Sequence, residues 1–199
     1  KNVNMGYRES KGKYAIFLGH DDVLKPNHLE IMYDCFERNT SFVFCNSELI
    51  DENGNFIKNM FDETKILAKL KNPIFEFSKE NFINSCGAMV NKEKAFEVGL
   101  WEEFDEFPHY GEWYFWIKLA TVGQVKYCDK IKSQYRRHTT NITNTFKDKE
   151  VIKKLNKFKN ICRKFAYSKG DFTFKQKINF YLYYIKANLK DLIKYLIAR

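Results

Sequence analysis

Apolar residues in this chain come in short dense runs, and the spacing inside each run separates strands from helices. Residues 14–18, YAIFL, form a β-prone run preceded by Gly12 and stopped by Gly19, which predicts a buried strand. Behind Pro26, suited to a first helical turn, Leu29, Met32, Tyr33 and Phe36 recur at i, i+3, i+4 and i+7 and predict a helix. SFVFCNS (41–47) reads as a second strand. Asn53–Gly54 between apolar flanks reads as a hairpin turn, because both residues tolerate positive φ. Residues 58–82 are mixed and polar around Pro73, give no clear element and suggest that the stretch includes a mobile loop. INSCGAMV (83–90) predicts another buried strand, and KEKAFEVG (92–99) a short helix closed by Gly99. A helix is expected from His109 to Val122 with Trp113, Trp116, Ile117 and Ala120 on one stripe. Residues 125–128 and 131–135 then supply a last strand or two. Strand, loop, helix, strand is the rhythm of an α/β domain. After Thr145 the texture changes: Ile178, Leu182, Ile185, Leu189, Leu192 and Leu196 keep a 4-3-4-3-4 spacing, a sustained amphipathic helix with lysines on its other faces.

Composition narrows the class. At 199 residues, 44% hydrophobic and 17% aromatic, the chain fits one domain with an appendage and carries enough apolar mass to exclude intrinsic disorder. No stretch reaches the roughly 18 apolar residues that a membrane-spanning helix needs. The first residues show neither an apolar leader core nor an initiator Met, so the sequence reads as an excerpt of a longer chain. Cys35, Cys45, Cys86, Cys128 and Cys162 are dispersed without CxxC spacing, which argues for reduced buried thiols, a cytoplasmic setting and no zinc site. The net charge of +9 is uneven. Residues 147–199 hold 15 basic and 4 acidic residues, or +11, and the other 19 basic and 21 acidic residues leave −2 for residues 1–146. A near-neutral body with a basic tail points to an anionic partner for the tail.

Three constellations carry candidate chemistry. Asp21–Asp22 follow the first strand, where open α/β sheets bind ligands, and suit a divalent cation shared with diphosphate oxygens. The same pair also suits a helix cap. Glu112 falls in the first turn of the aromatic helix, either as a general base or as a plain dipole partner. In Tyr135-Arg136-Arg137-His138, either arginine can fork onto phosphate and the histidine can bind metal or phosphate, or all three can form a solvated basic turn. No Gly-rich phosphate loop, HExxH or GxSxG occurs, which removes P-loop NTPases, zincins and α/β-hydrolases.

Taken in order, these segments resemble the family 2 glycosyltransferases of bacterial surface-polysaccharide synthesis. NMGYRESKGKY (4–14) is similar to the family's N-x-G-I-x-x-A-x-G-E-Y, Gly19-His20-Asp21-Asp22 to its D-x-D-D turn, GEWYFWIKLATVG to its E-D-W-D-L-W-L-R-L-A-x-x-G, and Tyr135–His138 to its Y-R-x-H. The departures are Gly19 for the first aspartate, Gly111 for a glutamate, Glu112 for the catalytic aspartate and Val3 for an arginine.

The resemblance implies an α/β fold: the later part of a GT-A (Rossmann-like) catalytic domain over residues 1–145, followed by a basic amphipathic helical tail over 146–199. It further implies inverting transfer of a sugar from a nucleotide-sugar donor to a glycan or lipid-linked acceptor, with Mg²⁺ or Mn²⁺. Glu112 is then the base. Asn4, Gly6, Asp21, Asp22, Arg136 and His138 face the donor diphosphate, with Asp21, Asp22 and His138 as metal ligands. Trp101, Tyr110 and Trp113 face the acceptor. The tail either lies on the anionic inner face of the plasma membrane or packs its apolar stripe on the body. A non-catalytic glycosyltransferase-like scaffold is the alternative. A nucleic-acid-binding protein, suggested by the basic tail, ranks last, and nucleic acid is not an expected partner for want of any RNA- or DNA-reading motif.

Overall fold

The computed structural model describes residues 2–104, 106, 111–139, 141 and 148–197. Its spine is β2, Thr40–Ile50, which is buried at every position except Glu48. Such a strand is covered on both faces, and its sequence accordingly lacks polar alternation. One edge of β2 runs parallel to β5, Gln124–Arg136, from Thr40 opposite Gln124 to Ile50 opposite Arg136, with register shifts after Thr40 and after Cys45. The last strand is therefore one long irregular element. The opposite edge pairs antiparallel with β4, Met89–Asn91, and further along with β3, Phe56–Asn59. β1, Tyr14–Ile16, completes the five-stranded sheet on β4. The fold is mixed α/β with C-terminal helices, as the sequence leads one to expect.

Several boundaries differ from the sequence reading. β1 stops at Ile16, leaving Phe17 and Leu18 exposed in the loop that follows. The 83–90 run becomes strand only at Met89, because Gly87 adopts φ +79°. A Cβ there would lie 2.8 Å from the Ser133 Cβ and 2.9 Å from the buried His28 ring. In the β2–β3 hairpin only Gly54 takes positive φ; Asn53 instead donates its N–H to the Asp51 carboxylate, as does Asn55. The 58–82 stretch is not one loop. It holds α3, Glu63–Lys69, capped by Asp62, and α4, Pro73–Phe77, capped by Asn72 with proline in the first turn. α2, His28–Asp34, buries Met32, while Leu29 and Tyr33 stay more than half exposed and Phe36 lies beyond its end. The remaining short helices are α1, Asn2–Glu9, and α5, Lys92–Glu97.

The described part of the aromatic helix is α6, Glu112–Ala120. It has no single apolar stripe, since Trp113, Phe115, Trp116, Ile117 and Leu119 are all buried. The reason is its position. Trp116 packs on Phe42 of β2 (ring centroids 4.8 Å apart), and Tyr114 stacks on Phe165 of α7, Lys149–Lys169 (4.3 Å). α7 also sends Phe158, Cys162 and Ala166 into the same core as the sheet. α8, Phe174–Ile197, opens on a reciprocal cap: the Thr173 N–H donates to Gln176 Oε1, and the Gln176 N–H donates to Thr173 Oγ1.

The face that α8 turns inward corrects the packing alternative for the tail. Phe180 and Asp191 are buried and Tyr184 packs beside Phe180, whereas Ile178, Leu182, Ile185, Leu189, Leu192 and Leu196 remain 46% to 65% exposed. The apolar stripe faces outward. No helix among the described residues is long and apolar enough to cross a membrane.

Candidate functional site

A cavity of about 1320 Å³ opens where the ends of β1 and β5, the start of α6 and the helices α7 and α8 converge. The loop after β1 turns back on itself, with the Asp22 N–H donating to the Gly19 carbonyl. Val23 and Gln134 then exchange backbone hydrogen bonds at 2.9 Å. This single bridge brings Asp21 and Asp22 beside the end of β5.

The adjacent aspartates have different environments. Asp21 Oδ2 lies 2.8 Å from His138 Nε2 and accepts from Asn141 Nδ2 at 3.3 Å. Its partial burial would raise its pKa. The His138 hydrogen bond, a backbone N–H and the charges of His20 and His138 outweigh that and hold it below the usual aspartate value. Asp22 turns the other way and accepts the Arg136 backbone N–H at 3.1 Å, and desolvation pushes its carboxyl up. Gly19 sits against both: a Cβ there would stand 2.8 Å from Asp22 Oδ2 and 3.1 Å from Asp21 Oδ1.

Arg136, expected at the diphosphate, is engaged elsewhere. Its Nε donates to the Asp21 carbonyl at 3.0 Å, and its Nη1 donates to the carbonyls of Asp51 and Glu52 at 3.1 and 3.0 Å. It ties the Asp21 loop to the β2–β3 hairpin and does not line the cavity. Arg137 does, together with His138.

Glu112 lines the cavity from the first turn of α6. Desolvation raises its carboxyl pKa above the ordinary range, against hydrogen bonds from Trp116 Nε1 (3.3 Å), Asn81 and Ser85. Trp101 and Trp113 line the same space, and the buried Trp113 indole N–H has no acceptor among the described residues. Asn4 is also at the wall, but its amide is fully engaged: Nδ2 donates to the Trp101 carbonyl and to Glu103 Oε1, each at 2.9 Å, and Oδ1 accepts the Trp101 N–H. It positions the Trp101 loop. Gly6 lies on α1 away from the cavity, and Tyr110 lies outside the described residues.

The proposed metal ligands do not close into one group, and among the described residues no cluster of three His, Cys, Asp or Glu side chains could hold an ion. Mg²⁺ is commonly held by one or two carboxylates with the remaining ligands from phosphate and water. Asp21, ionised and beside His138, fits such a partial site. Asp22 also lines the cavity, with Oδ1 spent on the Arg136 backbone N–H and its carboxyl pushed up by desolvation, which makes it the weaker ligand.

The far wall comes from residues that no motif singled out. Lys159 and Arg163 of α7 meet Asp191 of α8 at 3.1 and 3.4 Å, and Lys186, Lys190 and Lys194 extend the wall along α8. Helical spacing places those three lysines on one face. Only the tertiary fold brings that face to the cavity.

Residues 1–99 match the family model described as glycosyl transferase family 2. The chain is 26% identical over 147 residues to an uncharacterised glycosyltransferase of Rickettsia prowazekii, covering 72% of this chain and 45% of that protein. It is 26% identical over 149 residues to one of Rickettsia typhi, with the same coverage, and 27% identical over 140 residues to one of Rickettsia bellii, covering 67% and 20%. The chain thus spans less than half the length of these relatives.

Proposed function

Because residues 1–99 match the model of glycosyl transferase family 2, we propose that this chain forms the acceptor-side part of an inverting glycosyltransferase that moves a sugar from a nucleotide-sugar donor onto a glycan or lipid-linked acceptor. The observation that carries this reading is that Asp21, hydrogen-bonded to His138, and a desolvated carboxylate, Glu112, line one cavity although they come from distant chain segments. Residues 1–145 carry the chemistry, and residues 146–199 supply the far wall and the contact with an anionic membrane surface.

Glu112 accepts the proton of the acceptor hydroxyl as that oxygen bonds the anomeric carbon, while the bond from that carbon to the diphosphate oxygen breaks on the opposite side. Desolvation favours this role, because it brings the carboxyl closer to the pKa of an effective base at neutral pH. Asp21, with His138 beside it, is the group that would hold Mg²⁺ or Mn²⁺, which when bound neutralises charge on the leaving diphosphate. Arg137 adds a cation at the same end. Trp101, only partly buried, offers a ring face to a sugar, and Trp113 backs the same wall from the core.

The test uses the complete gene product with nucleotide sugars and Mn²⁺, reading released nucleoside diphosphate. Glu112→Gln lowers turnover by about 10²–10⁴-fold with nucleotide affinity retained. Near-normal turnover in that variant would remove Glu112 as base. Absence of calorimetric UDP–Mn²⁺ binding by the wild type would favour a non-catalytic scaffold, the reading to which Gly19 lends support by leaving the turn one carboxylate short.

A further inference from the structure

The lysine row on α8 has no role in the transfer chemistry and no partner that explains it. Lys186, Lys190 and Lys194 stand at i, i+4 and i+8, and all three line the cavity. None has an ion-pair partner among the described residues; Asp191, the acidic residue between them, is taken by Lys159 and Arg163. Like charges at this spacing repel, so the helix alone gains nothing from the row. Beside it on the same helix runs the outward apolar stripe, with Leu182, Leu189 and Ile193 on the neighbouring rows and each more than half exposed.

From this juxtaposition we infer that the α8 wall is a subsite for a phosphate group attached to an apolar chain, which makes the acceptor a lipid phosphate derivative and not a neutral glycan. The lysines face the cavity and take the phosphate. The adjoining leucines and isoleucines take the chain as it leaves the cavity toward the surface. The inference rests on the transfer reading for the identity of the ligand as acceptor, but its binding chemistry can be measured without turnover.

The probes are decyl phosphate and decyl glucoside below their micelle concentrations, titrated into the complete protein by tryptophan fluorescence or calorimetry. Decyl phosphate is expected to bind at least about 10-fold tighter, and K186A/K190A/K194A is expected to erase that preference. Equal affinity for the two amphiphiles, or a preference that survives in the triple variant, overturns the subsite. Inorganic pyrophosphate separates the two halves. L189Q/I193Q should weaken decyl phosphate and leave pyrophosphate unchanged; if the binding lost in the lysine triple variant is as tight for pyrophosphate as for decyl phosphate, the apolar half falls. Vesicles of phosphatidylcholine with and without phosphatidylglycerol form the last arm. Lysine dependence seen only on the anionic vesicles, with none for submicellar decyl phosphate, would make the row a headgroup contact and overturn the subsite. UDP–Mn²⁺ titrated on the same samples keeps the failures apart: no UDP binding with the lysine-dependent preference intact sinks the donor reading alone.

Discussion

The two walls of the cavity treat charge in opposite ways. At and behind the strand-end wall the polar groups are tied to one another: Asp22 to the Arg136 N–H, Asp21 to His138 and Asn141, and Arg136, behind the wall, to three carbonyls. At the α8 wall Asp191 is tied to α7, but Lys186, Lys190 and Lys194 are not tied to anything described. Ties fix the shape and orientation of the first wall, Asp21 included, whereas the untied charges of the second are free to move to a ligand. Which charges belong to which set follows from partners, not from residue type: neighbouring Arg136 and Arg137 fall on different sides of the divide.

The most damaging way to break this contrast is to strand a tied charge. Asp191→Ala leaves Lys159 and Arg163 facing each other without a counterion, and should cost about 3–5 kcal/mol in urea unfolding. A loss below about 1 kcal/mol would mean that apolar packing around Phe180, not the ion group, joins α8 to α7. Next in size is Arg136→Ala, which leaves carbonyls of Asp21, Asp51 and Glu52 without their donor. It should lower stability by about 1–3 kcal/mol, whereas Arg137→Ala should leave stability unchanged and weaken nucleotide binding. If the two arginines swap these effects, the division between them is wrong.

The pH dependence sharpens the comparison of carboxylates. Glu112 must be ionised to act as base and its pKa is raised, so log kcat/KM should climb with pH through a value above the ordinary glutamate pKa and then level off. Glu112→Gln should abolish that limb. Asp21 shifts the other way. Its folded-state pKa lies below the unfolded one, so its contribution to stability is present above the ordinary aspartate value and lost as pH falls through the folded one. Comparing wild type and Asp21→Asn in acid titrations should show that loss only in the wild type. The smallest effect belongs to the untied wall: K186A/K190A/K194A should change stability by no more than about 0.5 kcal/mol, and a larger loss would reveal a structural partner for the row.

Much of the fold was legible because its signals are local. TSFVFCNSELI lacks alternation and is a strand covered on both faces, Gly54 turns the hairpin, and Gly99 at φ +78° ends α5. The helices in 58–82 were missed, although Asp62 and Asn72 are ordinary caps and Pro73 an ordinary first-turn residue; each helix is too short for its periodicity to stand out. Of the candidate site, residues from separate motifs, Asp21, Glu112, Arg137 and His138, line one cavity. Asn4 and Asp22 line it too but are held by other partners, and Arg136 lies outside it.

The sequence by itself determined most of the elements and a resemblance to one family, because short-range spacing and turn chemistry act within a few residues. It determined that α8 has two faces but not which one is buried. The more hydrophobic face, from Ile178 to Leu196, is left outside, and the face carrying Asp191 is taken in because Lys159 and Arg163 wait for it on α7. That choice, like the separation of Arg136 from Arg137 and of Asp21 from Asp22, depends on groups brought together from distant parts of the chain. Only the tertiary structure could make it.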